Sequence, residues 1–548
     1  MAVWTGNRFP LSQAALVAVA EAKIAARVAP RIIRFLAPIV AWAIASIVLG
    51  LIVGLAAVFL PPLGAFGIVA VAAMVLLWVM PDLPLVWPNL IRKTFFIMLI
   101  ADLCVPNYYA VQFGGLPWIS ARRLATFALI APFLIAIASS SDARRKITER
   151  IGASSLIIIC VAGYLFMAFL SLFTSVTPSE STTALVEALL SWYVPFFAMI
   201  YIVRDHDDAV FILKVICCCA VFITAFGIVE FFEHRNIFVD IFPHGMLMQL
   251  IDNNPSLSSL LPGDIKHFRN GLYRAESAFV TPLSFGEFEI IVIPIGLFFA
   301  LYRESSVEKS LGWATVFGGI IGIFCSGSRG GYIGVLFSVA VFVAIWSVRK
   351  AVGNKASLAP AIVGLTGVVS FTFLIGLILF WRRAHNIVLG GGDAAASNQG
   401  RYEQWAAGIP LIRSNPITGH GFAAGGYVIN SSIDSYVLSV LLETGIPGLV
   451  FFVGLVLLPI WYGLRNFVSD LSESGAVGGA LACSFIAFAL NRLVLSQREN
   501  NMLIFSLLAI VVVMNYEYAR KQAPARVIDK PPRKTYLHPA EGRRGRRV

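Results

Sequence analysis

Between residues 35 and 518 the chain is a succession of apolar runs, each near the length that crosses a bilayer, separated by short clusters of turn and charged residues. Lipid offers no hydrogen-bond partners, so a run of about 20 apolar residues there becomes a helix, which satisfies its own backbone. The runs fall near 35–60, 62–81, 89–105, 121–139, 154–176, 184–203, 209–232, 278–302, 310–326, 330–348, 358–380, 435–463, 476–495 and 501–518. Pro88 and Asp102 interrupt the third, so the expectation is an all-α polytopic membrane protein with about 12–14 transmembrane helices. Hydrophobic residues make up 58% of the chain and charged residues 13%, with a mean hydropathy of +0.81. A soluble enzyme, a disordered chain, a fibrous protein and a disulfide scaffold are thereby excluded.

Basic residues orient the runs. With the N-terminus inside, 28 of the 42 Lys/Arg fall in inner segments, including Arg144, Arg145, Lys146 and Arg150, which is the bias expected of cytoplasmic loops. Arg122 and Arg123 are the main exceptions. Residues 1–34 lack the features of a cleaved signal and are read as a cytoplasmic lead-in. Residues 519–548 hold ten Lys/Arg against Asp529 and Glu541 and are read as a basic cytoplasmic tail near anionic lipid, not a nucleic-acid arm. Between them lie an N-terminal bundle (35–232), a long outer loop (233–277), central helices (278–380), a second long outer loop (381–434) and C-terminal helices (435–518). Of the cationic residues, Lys214 alone is set well inside a proposed span. The seven cysteines sit almost wholly in apolar runs without CxxC or Cys/His spacing, so neither a disulfide nor a metal site is expected.

Polar residues on so apolar a scaffold are the candidates for chemistry. The long outer loops hold His234, His244, His267, His385 and His420. The first three show no ligand spacing. Three constellations stand out. Gly327-Ser-Arg329-Gly-Gly331 puts an always-charged fork among glycines at a membrane boundary, suited to phosphate or to a snorkelling turn. Gly271 to Gly286 carries Arg274 just before a span that begins with Glu287 and Glu289, either a polar pocket or a pairing that locks the helix entry. The third runs Gly400-Arg-Tyr-Glu-Gln-Trp405, Ser414-Asn-Pro-Ile-Thr-Gly-His-Gly-Phe422, Ile433-Asp-Ser-Tyr436 and Glu443-Thr-Gly-Ile-Pro-Gly448. Arg401 to Trp405 fits a short helix on the loop. Asp434 suits a general base on a sugar hydroxyl or an N-cap for the next span.

In their order and on one face, these motifs resemble the O-antigen ligase and polysaccharide polymerase superfamily. The resemblance rests on Ser328-Arg329-Gly330, on Arg401…Trp405…Asn415-Pro416…Gly419-x-Gly421, and on Asp434-Ser-Tyr…Glu443-x-Gly445-Ile-x-Gly448. Upstream it includes Arg274…Phe279-x-x-Pro282…Gly286. It covers about 270–450. The basic-residue bias already puts both termini in the cytoplasm; the resemblance implies a GT-C-type helical fold acting at the outer face of the bacterial inner membrane, which makes the two long outer loops periplasmic. It further implies a metal-independent glycosyltransferase without cofactor, whose donor and acceptor glycans ride on undecaprenyl pyrophosphate. Arg274, Arg329 and Arg401 would bind the pyrophosphate, as that leaving group needs preorganised cations near the headgroup plane. Arg492 and Arg498 could join them, with Glu287 a further candidate.

Ligases of the superfamily usually carry a His-Asn pair where this chain has Asp434-Ser435, and aspartate there looks like the polymerase branch. Asp434 is then the candidate catalytic base. His420 could substitute as base, though a solvated turn histidine is the simpler reading. The function this implies is polymerisation of lipid-linked repeat units for exopolysaccharide, capsule or O-antigen, with a chain-length regulator as a candidate partner. The alternatives are ligation to lipid A-core or protein and, from another class, a flippase or transporter of lipid-linked oligosaccharide. A transporter needs a polar path at the bilayer midplane.

Overall fold

The computed structural model describes residues 87–111, 119–253, 268–269, 271–353, 359–381 and 393–522. The expected lead-in (1–34), the first two spans (35–60 and 62–81), His267, His385 and the tail beyond residue 522 lie outside the described residues. The elements in chain order are α1 (Pro88–Cys104), β1 (Ala110–Val111), β2 (Ile119–Ser120), α2 (Ala121–Ser139), α3 (Ser141–Gly152), α4 (Ser155–Leu170), α5 (Pro178–Ala188), α6 (Val194–Ile202), α7 (His206–Glu233), α8 (Ile237–Ile241) and α9 (His244–Asn253). They continue with β3 (Phe268–Arg269), β4 (Leu272–Tyr273), α10 (Pro282–Tyr302), α11 (Ser306–Ser326), α12 (Arg329–Gly353), α13 (Ala359–Phe380), α14 (Asp393–Ser414), α15 (Gly425–Val428), α16 (Tyr436–Ser469), α17 (Glu473–Arg492) and α18 (Asn501–Gln522). The two strand pairs are antiparallel ribbons of two residues a side.

Among the described residues, ten helices are long and apolar enough to cross a membrane, α5 and α6 counting as one continuous helix. The chain is an all-α polytopic membrane protein. From the third onward, the spans read from hydropathy correspond to helices with boundaries moved by a few residues, α1 and α13 standing outside the ten. Three loops of the sequence reading carry helix. Residues 141–152 form α3, because Ser140 caps it by accepting from Ala143 N at 3.2 Å and Asp142 pairs with Arg145 and Lys146, each at 2.7 Å. Those two cations hold the Asp142 carboxyl below its usual range. The short helix expected at Arg401–Trp405 is part of the 22-residue α14. The loop 233–277 carries α8, α9 and the β3–β4 ribbon.

Helix α10 is the axis of the bundle. Proline at its first position and Thr281 as cap, accepting from Ser284 N at 3.2 Å, start it. It is apolar on every side, and 94% of its most apolar window is buried among α7, α11, α12 and α17. Gly296 and Gly312 let α10 and α11 nearly touch: a Cβ at Gly312 would stand 2.4 Å from Ala300 N.

The end of the bundle at the α10–α11 connection is stitched by ion pairs. Lys214 and Arg303 share Glu308 at 2.9 and 2.6 Å, and Arg303 also reaches Glu473. Lys214, the cation set inside a span by the sequence reading, is thus paired. Arg349 donates to the Ser472 and Phe467 carbonyls, closing the α16–α17 turn. The functional candidates lie at the opposite end.

Candidate active site

Arg274 sits on an extended arm fixed from below. The buried Glu230 carboxylate, near the end of α7, accepts from Glu276 N at 3.0 Å, Ser277 N at 2.7 Å and Tyr273 Oη at 3.2 Å. Asn236 Nδ2 donates to Ser277 O at 2.9 Å, and Ala275 N donates to Cys325 O at 2.9 Å. The arm therefore lies against the end of α11, where Arg274 Nε donates to Ser326 O at 3.0 Å. Gly327 ends α11 with φ +60°, and a Cβ there would press on the Arg274 side chain at 3.2 Å. Ser328 Oγ then accepts from Gly331 N at 3.2 Å, starting α12 with Arg329 at its head. The Gly-Ser-Arg-Gly motif thus packs against Arg274 and presents Arg329 at the first residue of α12.

The motifs at 415–421 and 443–448 form one interlock. Pro447 has no N–H, so the Glu443 carbonyl loses its helical donor. Gly445, at φ +71°, breaks α16. The loop completes the broken turn: Gly421 N donates to Glu443 O at 3.2 Å, His420 N to Leu442 O at 2.7 Å, and Ile446 N turns out to Pro416 O at 2.8 Å. Both glycines are required sterically. A Cβ on Gly445 would lie 2.4 Å from Ile417 O, and one on Gly419 would lie 2.5 Å from the Glu443 carbonyl. His420 is consequently buried (9% exposed) and Nε2 faces Leu411 O at 2.9 Å. This corrects the reading of a solvated turn histidine: packing against α16 removes it from water.

Asp434 stands just before α16, whose N-cap is Ser435. The cap role open to Asp434 in the sequence is therefore not what its side chain does. It faces Arg401, with Nε 3.5 Å from Oδ2. Gln404, one turn further along α14, accepts from Asp434 N at 3.0 Å. Trp405, Leu411 and Ile412 of α14 pack with Ile433, Leu438 and Leu442, which seats the helix on the start of α16.

These parts enclose a cavity of about 300 Å³ lined by Arg274, Ser328, Arg329, Gly330, Arg401 and Asp434, together with Asn491, residues 494–497, Leu283 and Ile433. Four candidates from separate stretches of sequence meet there. Glu287, His420 and Arg492 do not line it. Glu287 and Arg492 form a buried pair, with Arg492 Nε 3.1 Å from Glu287 Oε1 and Nη2 donating to Oε2 at 3.1 Å. Arg498 pairs with Glu443 and lies over the Phe422 ring, 4.7 Å from its centroid. Glu289 accepts from Thr224 Oγ1 at 2.7 Å within the bundle. So neither glutamate pairs with Arg274. Burial pushes the Glu499 carboxyl, which accepts from Val280 N at 3.2 Å, above its usual range. His234 and His244 are exposed. Among the described residues, no three His, Cys, Asp or Glu side chains gather as a metal-holding group.

Sequence reasoning singled out Arg492 in this stretch but missed the wall residues themselves, Asn491 and 494–497. These are ordinary polar and apolar types at a helix end, and nothing local marks them. It also missed Glu230, whose signal was a carboxylate one turn from the end of an apolar run.

A family model described as O-antigen ligase matches residues 314–453, from within α11 to within α16. The segment includes Arg329, Arg401 and Asp434 but not Arg274 or the 491–497 wall. None of the curated proteins compared matches the chain. Taken with the order of the motifs, the match supports placing this chain in the O-antigen ligase and polysaccharide polymerase superfamily.

Proposed function

We propose that the protein is a polymerase of oligosaccharide repeat units linked to undecaprenyl pyrophosphate, acting at the periplasmic face of the bacterial inner membrane with both termini cytoplasmic. One observation carries the reading: three arginines and an aspartate from four separate segments line one cavity at the ends of membrane-spanning helices. A pyrophosphate leaving group develops negative charge as the glycosidic bond breaks, and fixed guanidinium groups stabilise it without reorganising. Arg274, Arg329 and Arg401 take that role. The cavity is at the small end for a ligand site, suited to the reacting end of a lipid-linked glycan and not to the whole molecule.

In the step itself, the bond from the donor sugar's anomeric carbon to the pyrophosphate oxygen breaks and its electrons leave with the phosphate. The acceptor sugar's hydroxyl oxygen bonds to that carbon, and its proton passes to Asp434. Arg401, beside Asp434 in the resting site, is placed to turn toward phosphate when the donor enters. The proposed base and cations line the same cavity, which supports transfer at a single reacting centre.

The second reading is ligation of a finished glycan to lipid A-core or protein. The description of the matched family favours it; aspartate at 434, where ligases usually carry histidine, favours polymerisation. Glycan analysis of a deletion strain separates them. Single lipid-linked repeats accumulating at the outer face with loss of long polymer is the expected result. Long polymer retained on the carrier lipid would mean ligation. Repeat units trapped on the inner leaflet would mean a flippase and would overturn the enzymatic reading.

A further inference from the structure

Part of the cavity lining, residues 494–497, is a loop between α17 and α18 without secondary structure of its own. Several ties hold it: Ser496 Oγ donates to the Ile433 carbonyl, Arg498 pairs with Glu443, and Glu499 accepts from Val280 N, but one guanidinium bridges both ends of the loop. Arg492, the last residue of α17, donates from Nη1 to the Gln497 carbonyl, spanning the loop. From Nη2 it donates to Asn501 Oδ1 at 3.0 Å, at the first residue of α18, and to Glu287 Oε2 at 3.1 Å. Asn500 completes the cluster, donating to Glu287 Oε2 at 3.0 Å and to Ser284 O at 2.9 Å. The guanidinium is clamped between the rings of Tyr436 and Phe488, each 4.6 Å from it. Arg492 is 1% exposed and Glu287 is fully buried, so neither reaches a substrate.

A charge pair this deep is seldom kept for stability. Desolvating both ions offsets most of their attraction, and an apolar pair of similar volume often does as well. The arginine does what no apolar side chain can: with a planar fork it holds a carboxylate, a loop carbonyl and the next helix at once. We infer that Arg492, neutralised by Glu287, is a positioning residue that holds the 494–497 wall at the distance from Arg274, Arg329 and Arg401 that transfer requires. The inference deepens the function proposed above and rests on it for the meaning of the wall, though the holding role can be measured alone.

The test uses the full chain in lipid nanodiscs. Arg492→Lys keeps the positive charge against Glu287 but cannot reach Glu287, Gln497 O and Asn501 together. The expected result is a folded protein whose amides at 494–497 exchange hydrogen faster, with turnover on lipid-linked repeats lower by about 10²-fold, the scale of a misplaced reacting group, and KM little changed. Unchanged exchange at 494–497 overturns the inference whether or not the protein transfers glycan. Should the wild-type protein transfer nothing, the proposed function fails while the exchange result still decides the holding role. The double variant Glu287→Leu/Arg492→Met removes both charges. Its thermal stability should return toward wild type while turnover stays low. Wild-type turnover in either variant overturns the inference, because the pair would then serve packing alone.

Discussion

Asp434→Asn separates chemistry from structure, because the two readings of this residue differ in size as well as in kind. The substitution preserves volume and the backbone bond from Asp434 N to Gln404 Oε1, and it leaves Ser435 as the N-cap of α16. What it removes from the resting fold is one ion pair to Arg401 at 3.5 Å, between side chains that are 30% and 38% exposed. Such a pair contributes about 0–1 kcal/mol. Loss of a general base slows transfer by about 10²–10⁴-fold, which is about 3–5 kcal/mol of barrier. The expected outcome is therefore a melting temperature close to wild type with turnover nearly abolished. The assay is single-turnover transfer between lipid-linked repeats in nanodiscs, with the melting point followed by intrinsic fluorescence on the same samples. Wild-type turnover would refute the assignment of Asp434 as base. A large fall in melting temperature would refute the argument that the pair is energetically minor.

Arg274→Ala and Arg329→Ala should each cut transfer by about 10²–10³-fold, the cost of one preorganised donor, with membrane insertion unchanged; normal polymer length in both strains would end their proposed role. Gly445→Ala meets a positive φ and a carbonyl 2.4 Å from its Cβ, so it should lose about 1–3 kcal/mol or more, read as a lower melting temperature with faster proteolysis at 415–421. His420→Gln should cost about 1 kcal/mol through its contact with Leu411 O, while the pH dependence of transfer stays that of the wild type; a shifted profile would return His420 to the chemistry. Truncation after Gln522 should leave transfer intact in the nanodisc assay, and shorter polymer in cells would point to a cytoplasmic partner for the basic tail.

The spans were legible because burial in lipid is written locally. A 20-residue window carries the whole signal for α2, α7 or α18, whatever the rest of the chain does. The residues of the candidate cavity were legible for a related reason. Gly-Ser-Arg-Gly at a span boundary and Asp434 at a re-entry are costly there unless used, so their types and depths already mark them. What each would touch was not legible. Asp434 could cap or catalyse on local grounds, and only the arrival of Arg401 from α14, thirty-three positions earlier, turned it away from the cap. His420 looked like a turn residue in water until α16 broke at Gly445 and accepted its backbone N–H. Glu287, open between a polar pocket and a structural pairing, and Arg492, a candidate phosphate ligand, are 205 residues apart, each a charge near the boundary. Their mutual neutralisation depends on α10 and α17 crossing at one height.

The sequence by itself determined the membrane class, the placement of the helices and the kinds of charge held at one end, since hydropathy and residue type act within a few turns. Only the tertiary structure decided which charges face one another, because an ion pair, an interlocked glycine turn or a cavity wall is a distance between segments that are far apart in the chain. That is why three arginines scattered from 274 to 401 become one cationic surface, while two others of the same type become struts behind it.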